Sequence, residues 1–259
     1  MNLYSESWGQ GRPIVLLHGW GLNSTVWEDL IPSLNRQGRT VSIDLPGSGR
    51  SPLGMGDYSL DLLTTLLAAH APSPSIWLGW SLGGLLAMDA ALRFPEQVSA
   101  LILIAATPRF TCADDWPYGI PVALFEGFER GVMRRPEDAL HRFAALLARG
   151  GIKASAIARS MHERMSRFGS SDKRALLGGL KLLATTDLRS EVARIRCPAL
   201  ILLGENDALI PAHAAVPIHA LFSKARTEMV PKAAHAPFLS HPEQTLSLIL
   251  EFMDEHCLT

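Results

Sequence analysis

The residues best suited to nucleophilic catalysis lie at positions 79–83, which read Gly-Trp-Ser-Leu-Gly. A strand-forming run, Ile-Trp-Leu at 76–78, precedes them, and a helical pattern follows. A serine on a tight turn between a strand and a helix projects its hydroxyl above a sheet, and the glycines avoid clashes that a Cβ would cause. Ser81 is therefore the candidate nucleophile. The alternative is a Gly/Ser-rich turn that matches the pattern by chance.

A candidate acid and a candidate base follow late strand-like runs. Asp207 comes just after the apolar run 198–203, and His235 comes after the run 227–230. In the order serine, acid, histidine, these residues form a catalytic triad in which the acid orients the histidine and the histidine takes the serine proton. Glu205 competes for the acid role but stands earlier in the loop. His241 competes for the base role but stands where a helix begins, a position that favours capping.

A second loop predicts where an oxyanion would be held. Residues 18–21, His-Gly-Trp-Gly, follow the buried strand predicted over 13–17. Glycines let the backbone N–H groups of such a loop face an open site, so the N–H of Trp20 is a candidate donor to an oxyanion. His18 and Asp44 also lie at strand ends. For these two we expect structural roles, since such residues usually bond to the backbone of their own loops.

Strands and helices alternate on both sides of these loops. Apolar or alternating runs predict strands at 3–7, 13–17, 40–43, 76–78, 98–106, 198–203 and 227–230. Helical patterns predict helices at 25–34, 61–69, 82–94 and from 242 to the C-terminal end. The alternation predicts an α/β fold with a mostly parallel sheet flanked by helices. Ligands of such sheets bind at the carboxyl ends of the strands, which is where the candidate residues lie.

Residues 107–187 interrupt this pattern. They contain no strand-like run, and they predict helices at 136–148, 154–167 and 173–184. We therefore expect a core formed by residues 1–106 and 188–259, with 107–187 as an inserted helical cap. Seven apolar residues of this segment form its own core or, for two or three of them, line a channel: Phe125, Phe128, Phe143, Leu146, Leu147, Met161 and Met165.

Charge is distributed unevenly along the chain. Residues 130–181 contain twelve lysines and arginines and four carboxylates, a net charge of +8, whereas the whole chain carries −1 and the remainder therefore −9. The two readings are a solvated helix surface and a surface for an acidic partner. Because the segment lacks interleaved aromatics and any known binding motif, we do not expect nucleic acid to be that partner.

Cysteine spacing and the apolar runs of the sequence indicate the compartment in which the protein works. The three cysteines are far apart and form neither a CxxC pair nor a zinc-site spacing, so we expect reduced thiols and no metal. The first residues lack a basic start followed by an apolar stretch, and no apolar run approaches the ~18 residues of a membrane span. We expect a cytoplasmic protein without membrane attachment.

Four motifs together resemble one known family. They are His-Gly-Trp-Gly-Leu-Asn at 18–23, Asp-Leu-Pro-Gly at 44–47, Trp-Leu-Gly-Trp-Ser-Leu-Gly-Gly-Leu at 77–85 and Ala-Ala-His-Ala-Pro-Phe at 233–238. The chain looks like an α/β-hydrolase along almost its whole length. Within that superfamily it closely resembles the pimeloyl-[acyl-carrier protein] methyl ester esterases of biotin biosynthesis, which are carboxylesterases.

The resemblance implies a set of roles. Ser81, Asp207 and His235 would be the catalytic triad, and the N–H groups of Trp20 and Leu82 would hold the oxyanion. Side chains beside the acyl chain would be Trp20, Trp80 and Phe143.

The resemblance also implies a partner. An acidic acyl carrier protein would deliver the ester, with Arg142, Lys153 and Arg159 of the cap as contacts. No cofactor is implied, and we expect a monomer. Two alternatives stay open: a broad carboxylesterase or another hydrolase of this fold, such as an aminopeptidase or a C–C bond hydrolase, and a binding protein that uses the pocket as a receptor.

Overall fold

A single seven-stranded sheet organises the computed structural model, which describes residues 2–169 and 171–258. The strands are β1 Ser5–Trp8, β2 Pro13–Leu17, β3 Arg39–Ile43, β4 Ser75–Trp80, β5 Val98–Ile104, β6 Ala199–Gly204 and β7 Ala225–Val230. Their spatial order is β1-β3-β2-β4-β5-β6-β7. Only the β1–β3 pair is antiparallel, and the other neighbours run parallel. The predicted α/β class is confirmed.

In the described part of the chain, ten α-helices connect and flank these strands. They are α1 Ile31–Leu34, α2 Leu60–His70, α3 Leu82–Arg93, α4 Val122–Arg134, α5 Pro136–Ala148, α6 Ala154–Ser166, α7 Lys173–Thr185, α8 Ala215–Leu221, α9 Pro237–Ser240 and α10 Pro242–Glu255. Helix α3 packs on β4 and β5, and α10 packs on β6 and β7. The central strands β4 and β6 are buried along their whole length, as expected for parallel strands covered by helices.

The predicted helix over 25–34 is wrong as one continuous element. The structure has a short 3₁₀ helix, Ser24–Trp27, followed after a break by α1. Asn23 caps the first piece, because its side-chain oxygen accepts from the N–H of Thr25 at 3.1 Å. Pro32 has no N–H to donate to the carbonyl of Glu28, so a helix cannot run through this point.

Helices α4 to α7 lie within residues 107–187, which we refer to as the cap segment. The predicted domains include residues 1, 170 and 259, which lie outside the described residues. Three of the four helices match the sequence prediction closely, whereas α4 was not predicted. Its glycines at 127 and 131 weaken the helical pattern, since glycine costs about 1 kcal/mol relative to alanine inside a helix. The division into core and cap stays a prediction.

The two ends of the cap segment are tied to each other. The N–H of Leu188 donates to the carbonyl of Pro108 at 2.9 Å. The carboxylate of Asp187 pairs with Arg109 and, at 2.7 Å, with Arg189. These two cations hold the pKa of Asp187 below its usual range, the bonds from Arg189 acting most strongly. The chain therefore enters and leaves the cap segment at one ion-paired point.

Candidate active site

Ser81 occupies a strained turn between β4 and α3. Its φ of 55° and ψ of −116° lie outside the conformations that non-glycine residues ordinarily adopt. Its N–H is held by the carbonyl of Ile104 at 3.0 Å. A Cβ on Gly79 would lie 2.4 Å from the carbonyl oxygen of Gly83, and one on Gly83 would lie 2.2 Å from that of Leu17. The glycines are therefore required by close backbone contacts, and the turn has the geometry of a nucleophile elbow.

Asp207 and His235 are joined directly. The imidazole Nδ1–H of His235 donates to Oδ2 of Asp207 at 2.7 Å, and both side chains are fully buried. The other carboxylate oxygen accepts from the N–H groups of Leu209 at 2.8 Å and Ile210 at 3.1 Å. Because Nδ1 carries the proton, Nε2 presents a lone pair. This atom is buried and has no hydrogen-bond partner among the described residues, which leaves it available as a base.

The competing acid and base lie elsewhere. Glu205 is exposed, and its Oε2 accepts from the N–H of Lys232 at 2.8 Å. The ring of His241 shares a hydrogen bond of 2.8 Å with the hydroxyl of Ser240 at the start of α10. It makes no side-chain capping bond to that helix, although the residue occupies the cap position. The pair Asp207–His235 is therefore the one that the fold brings together.

The backbone of His235 is held from two sides. Its N–H donates to the carbonyl of Leu147, near the end of α5, at 3.1 Å. Its carbonyl accepts from the indole Nε1–H of Trp80 at 2.8 Å. Trp80 is fully buried, with its ring packed edge-on against Phe238 at 5.2 Å. Trp80 is not among the residues that line the cavity beside Ser81, and its indole supports the backbone of His235. Its contact with the acyl chain stays a prediction.

The loop after β2 passes over the elbow. A Cβ on Gly19 would lie 3.4 Å from the Cβ of Ser81 and 3.1 Å from the ring of Trp80. Leu82 is the first residue of α3, so its N–H belongs to the donors that a helix leaves unused. Across residues 2–169 and 171–258, no hydrogen bond is recorded from the N–H of Trp20 or Leu82. Both groups are thus free to donate to an oxyanion.

The indole of Trp20 connects this loop to the cap segment. Its Nε1–H donates to the carbonyl of Leu176 in α7 at 2.7 Å. Its ring meets that of Phe143 edge-on, with centroids 4.7 Å apart, and that of Phe128 at 6.4 Å. Helix α7 approaches this closely because residue 179 is glycine, where a Cβ would lie 2.6 Å from the indole. The candidate oxyanion loop is therefore fixed by the cap helices as well as by the sheet.

His18 and Asp44 have the structural roles predicted for them. The Nδ1–H of His18 donates to the carbonyl of Gly19 at 2.8 Å, and Nε2 accepts from the N–H of Leu45 at 2.9 Å. Burial lowers the pKa of His18, although the charge of Asp44 acts in the opposite direction. Asp44 accepts from the N–H groups of Ser24 at 2.7 Å and Arg50 at 2.8 Å. Both residues fix the loops around the site.

A narrow cavity opens beside Ser81. Except for the serine, its lining is entirely apolar or aromatic: Trp20, Phe110, Ile120, Leu124, Phe125, Phe128, Phe143, Leu180, Leu183 and Leu209. Three of the seven cap residues considered for a channel are among these, namely Phe125, Phe128 and Phe143. Such a lining suits an uncharged acyl chain, since a charged group would lose its hydration without a partner.

Six of the eleven lining residues were not identified from the sequence, among them Leu124 of the unpredicted helix α4. Phe110 and Ile120 come from the loop before α4, whose folded path has no periodic signal. Leu180 and Leu183 lie on one face of α7, one turn apart, and Leu209 follows the candidate acid. The i, i+3 spacing on α7 was the one signal that could have found two of them.

The basic residues predicted to contact a partner lie on the cap segment. Arg142 is an exposed residue of α5, and its guanidinium reaches α4, where a Cβ on Gly131 would lie 3.0 Å from Nη2. Lys153 is exposed at the N-terminal cap of α6, and Arg159 is exposed within that helix. Helices α5 and α6 pack against each other. The three cations therefore lie on one helical layer outside the apolar cavity.

No helix in the described part of the chain is both long and apolar enough to cross a bilayer.

Comparison with known proteins agrees with this architecture. The family model described as alpha/beta hydrolase fold matches residues 12–242. The pimeloyl-[acyl-carrier protein] methyl ester esterase of Serratia marcescens is 40% identical over 98% of this chain and 99% of its own. That of Aeromonas hydrophila is 38% identical over 98% of this chain and 100% of its own.

Solved structures show the same fold. An esterase from Exiguobacterium antarcticum superimposes with a TM-score of 0.87 and 25% identity, covering 97% of this chain and 95% of that one. A bromoperoxidase from Bacillus anthracis reaches a TM-score of 0.89 at 23% identity, over 97% and 95% of the two chains, and shows the fold alone. Together with the elbow and the Asp207–His235 pair, these likenesses show that the chain belongs to the α/β hydrolase family and, within it, to the pimeloyl-[acyl-carrier protein] methyl ester esterases.

Proposed function

We propose that this protein is a serine esterase that cleaves the methyl ester of a pimeloyl chain carried on acyl carrier protein, releasing methanol in biotin biosynthesis. The observation that carries the proposal is the buried Asp207–His235 pair together with a serine on a strained elbow, in a chain 40% identical to an esterase of that name. The reaction needs the side chains of the triad and one water.

The first half of the reaction acylates the serine. Nε2 of His235 takes the proton of the Ser81 hydroxyl as its oxygen attacks the ester carbonyl, and Asp207 stabilises the resulting imidazolium. The N–H groups of Trp20 and Leu82 donate to the oxyanion, a contribution of about 3 kcal/mol per donor in comparable sites. As the tetrahedral intermediate collapses, the methoxy group takes the proton from His235 and leaves as methanol.

The second half regenerates the enzyme. Water attacks the acyl-serine, His235 accepts the water proton, and the same two N–H groups hold the second oxyanion. Collapse returns the proton to Ser81 and frees the carboxylate end of the chain. The apolar cavity supplies no cation to hold this new carboxylate, which favours release of the product.

The cap segment, residues 107–187, is part of the proposal as the lid that receives the carrier. Arg142, Lys153 and Arg159 lie on its exposed side and would attract an acidic protein. A monomer in the cytoplasm suits an enzyme that meets a diffusing carrier.

The test of the function is chemical and genetic. The purified protein should release methanol from the methyl ester of carrier-bound pimelate, and its gene should restore growth of a biotin auxotroph that lacks this esterase. Ser81→Ala should do neither while it remains folded. Failure of the wild-type protein on that ester, together with high activity on short p-nitrophenyl esters or on peptide anilides, would indicate a different hydrolase.

The carrier surface has its own test. The double charge reversal Arg142→Glu and Arg159→Glu should lower kcat/KM for the carrier-bound ester and spare a small soluble methyl ester. Arg36→Glu, a single charge reversal at an exposed site of the core, is the control, compared with Arg142→Glu and Arg159→Glu made singly as well as together. Equal loss on both substrates would remove the carrier-docking role.

A further inference from the structure

An open groove lies between α4 and α5, next to the catalytic cavity. Two residues, Leu124 and Phe128, line both the cavity and the groove. The groove and the cavity therefore share a wall formed by Leu124 and Phe128, and the groove adds arginines to these apolar side chains.

Four arginines line the groove, against a single carboxylate, Asp138. Arg135 lies 3.6 Å from that carboxylate, and Arg130 lies 3.7 Å from Glu126 on its own helix. Within the described ranges, 2–169 and 171–258, no carboxylate pairs with Arg134 or Arg142. An excess of positive charge in a concave site attracts an anion of matching size.

Glycines give the groove its room. A Cβ on Gly127 would meet no atom within 4 Å, so this side of α4 faces open space. At Gly131 a Cβ would lie 3.0 Å from Nη2 of Arg142, so the guanidinium lies directly on the backbone of α4. Arg142 thus crosses from α5 to α4 and places its donors beside those of the α4 arginines. Planar guanidinium groups of this kind bind phosphate oxygens in pairs.

We propose that this groove binds the phosphodiester of the phosphopantetheine arm while the acyl chain lies in the cavity. The inference rests on the proposed function and adds a ligand site to it. The order of chemistry along the substrate is ester, methylene chain, amide arm, phosphate. The order along the protein is Ser81, apolar cavity, Leu124 and Phe128, arginines. The two orders correspond. Three groove arginines, Arg130, Arg134 and Arg135, are not among the proposed carrier contacts, and the first two lie on α4.

The experiment separates the phosphate from the protein that carries it. Pimeloyl methyl ester is supplied as its thioester on pantetheine, on 4′-phosphopantetheine, on coenzyme A and on acyl carrier protein. The double variant Arg130→Ala and Arg134→Ala should lower kcat/KM about tenfold or more on the three phosphorylated substrates, since a charge-assisted phosphate contact is about twice as strong as a neutral one. On the pantetheine substrate, kcat/KM should change less than twofold. Arg36→Ala, which removes one exposed cation of the core, is the control for each single variant, Arg130→Ala and Arg134→Ala, and should leave all four values unchanged.

Three outcomes would overturn the groove site. They are an equal loss on phosphorylated and unphosphorylated substrates, no loss on any substrate, and a loss on coenzyme A that is absent on the carrier. Arg159→Glu in parallel should lower kcat/KM on the carrier alone, which separates protein contact from arm contact. If the wild-type protein hydrolyses none of the four methyl esters, the proposed function fails, and the groove proposal falls with it. If the wild-type protein hydrolyses all four methyl esters and the groove variants lose the same activity on each of them, only the groove proposal is overturned.

Discussion

The two sides of the active site are built in different ways. On the core side, backbone groups fix the reacting residues: a Cβ on Gly83 would lie 2.2 Å from the carbonyl of Leu17, and two N–H groups hold one oxygen of Asp207. On the cap side, the contacts are aromatic rings and single hydrogen bonds. On the core side a side chain added to the elbow glycine would overlap backbone atoms, whereas the cap side presents exposed glycines and arginines.

The two sides nevertheless meet at the reacting groups. The carbonyl of Leu147 in α5 accepts from the N–H of His235, and that of Leu176 in α7 accepts from the indole of Trp20. Helix α6 joins the same region, since Asn23 donates to the carbonyl of Arg164 at 2.8 Å. The comparison therefore shows that the elbow and the Asp207–His235 pair lie on the sheet side, while helices α5, α6 and α7 bond to the same loops from the other side.

The largest effect should come from the core acid. Asp207→Asn keeps the shape but favours the wrong imidazole tautomer, so kcat should fall by about 10⁴ on every ester, carrier-bound or small. Glu205→Gln, two residues earlier, is the matched control and should retain activity, because its carboxylate only accepts from the N–H of Lys232. This prediction is tested by measuring rates on both ester classes, with circular dichroism to confirm that the variants are folded. A loss restricted to the carrier-bound ester would break the assignment of chemistry to the core.

The next largest effect should come from replacing one glycine by alanine on the core side and, separately, one on the cap side. Gly83→Ala should destabilise the protein by about 3 kcal/mol, because its Cβ meets backbone that cannot move aside. Gly127→Ala in α4 should stabilise it by up to about 1 kcal/mol, because the added methyl meets no atom within 4 Å and improves helix propensity. Urea unfolding curves measure both. Effects of the same sign would contradict the contrast between a closely packed elbow and an open helix.

A smaller effect should follow when one bond between the two sides is removed. Trp20→Phe keeps an aromatic ring against Phe143 but loses the donor to Leu176, so kcat/KM should fall about fivefold, as expected for one net hydrogen bond of about 1 kcal/mol. Trp27→Phe is the control, since the indole N–H of Trp27 has no partner among the described residues. It should leave kcat/KM unchanged. If both variants lose activity equally, the cap contact does not tune the oxyanion loop.

The smallest effect concerns the point where the cap segment joins the core. Arg109 and Arg189 hold the pKa of Asp187 below its ordinary value of 3.8, so the unfolded chain binds this proton more readily than the folded one. The stability from Asp187 is therefore present above about pH 4 and is lost as the pH falls below it. Asp187→Asn should cost about 1 kcal/mol or less at pH 7, because the groups are partly exposed, and a smaller amount at pH 2. Thermal unfolding at the two pH values tests the sign.

The core could be predicted in detail because each of its features has a local cause. The elbow, the buried strands and the loops at their carboxyl ends depend on glycine positions and on continuous apolar runs, which the sequence shows directly. His18 and Asp44 were placed correctly for the same reason: residues at strand ends bond to their own loops.

The sequence predicts helices in the cap segment but not which of their faces line the cavity and the groove. Helix α4 was missed because its two glycines weaken the pattern, and with it the groove beside Phe128 was missed. The sequence also carries no signal for the hydrogen bond by which the indole of Trp80 supports the carbonyl of His235. Which helix face meets which loop is set by tertiary packing, for which a single sequence carries no local signal.

The bond between His235 and Leu147 has a consequence for measurement. The amide proton of the histidine is held by the cap rather than by the sheet, so its exchange with deuterium from solvent requires α5 to move away. The exchange rate of this amide therefore reports how often α5 moves away from His235, and its measurement needs no added label. A carrier bound to the arginines of the cap should slow that exchange, whereas a small ester in the cavity acts on it only through the rings it touches.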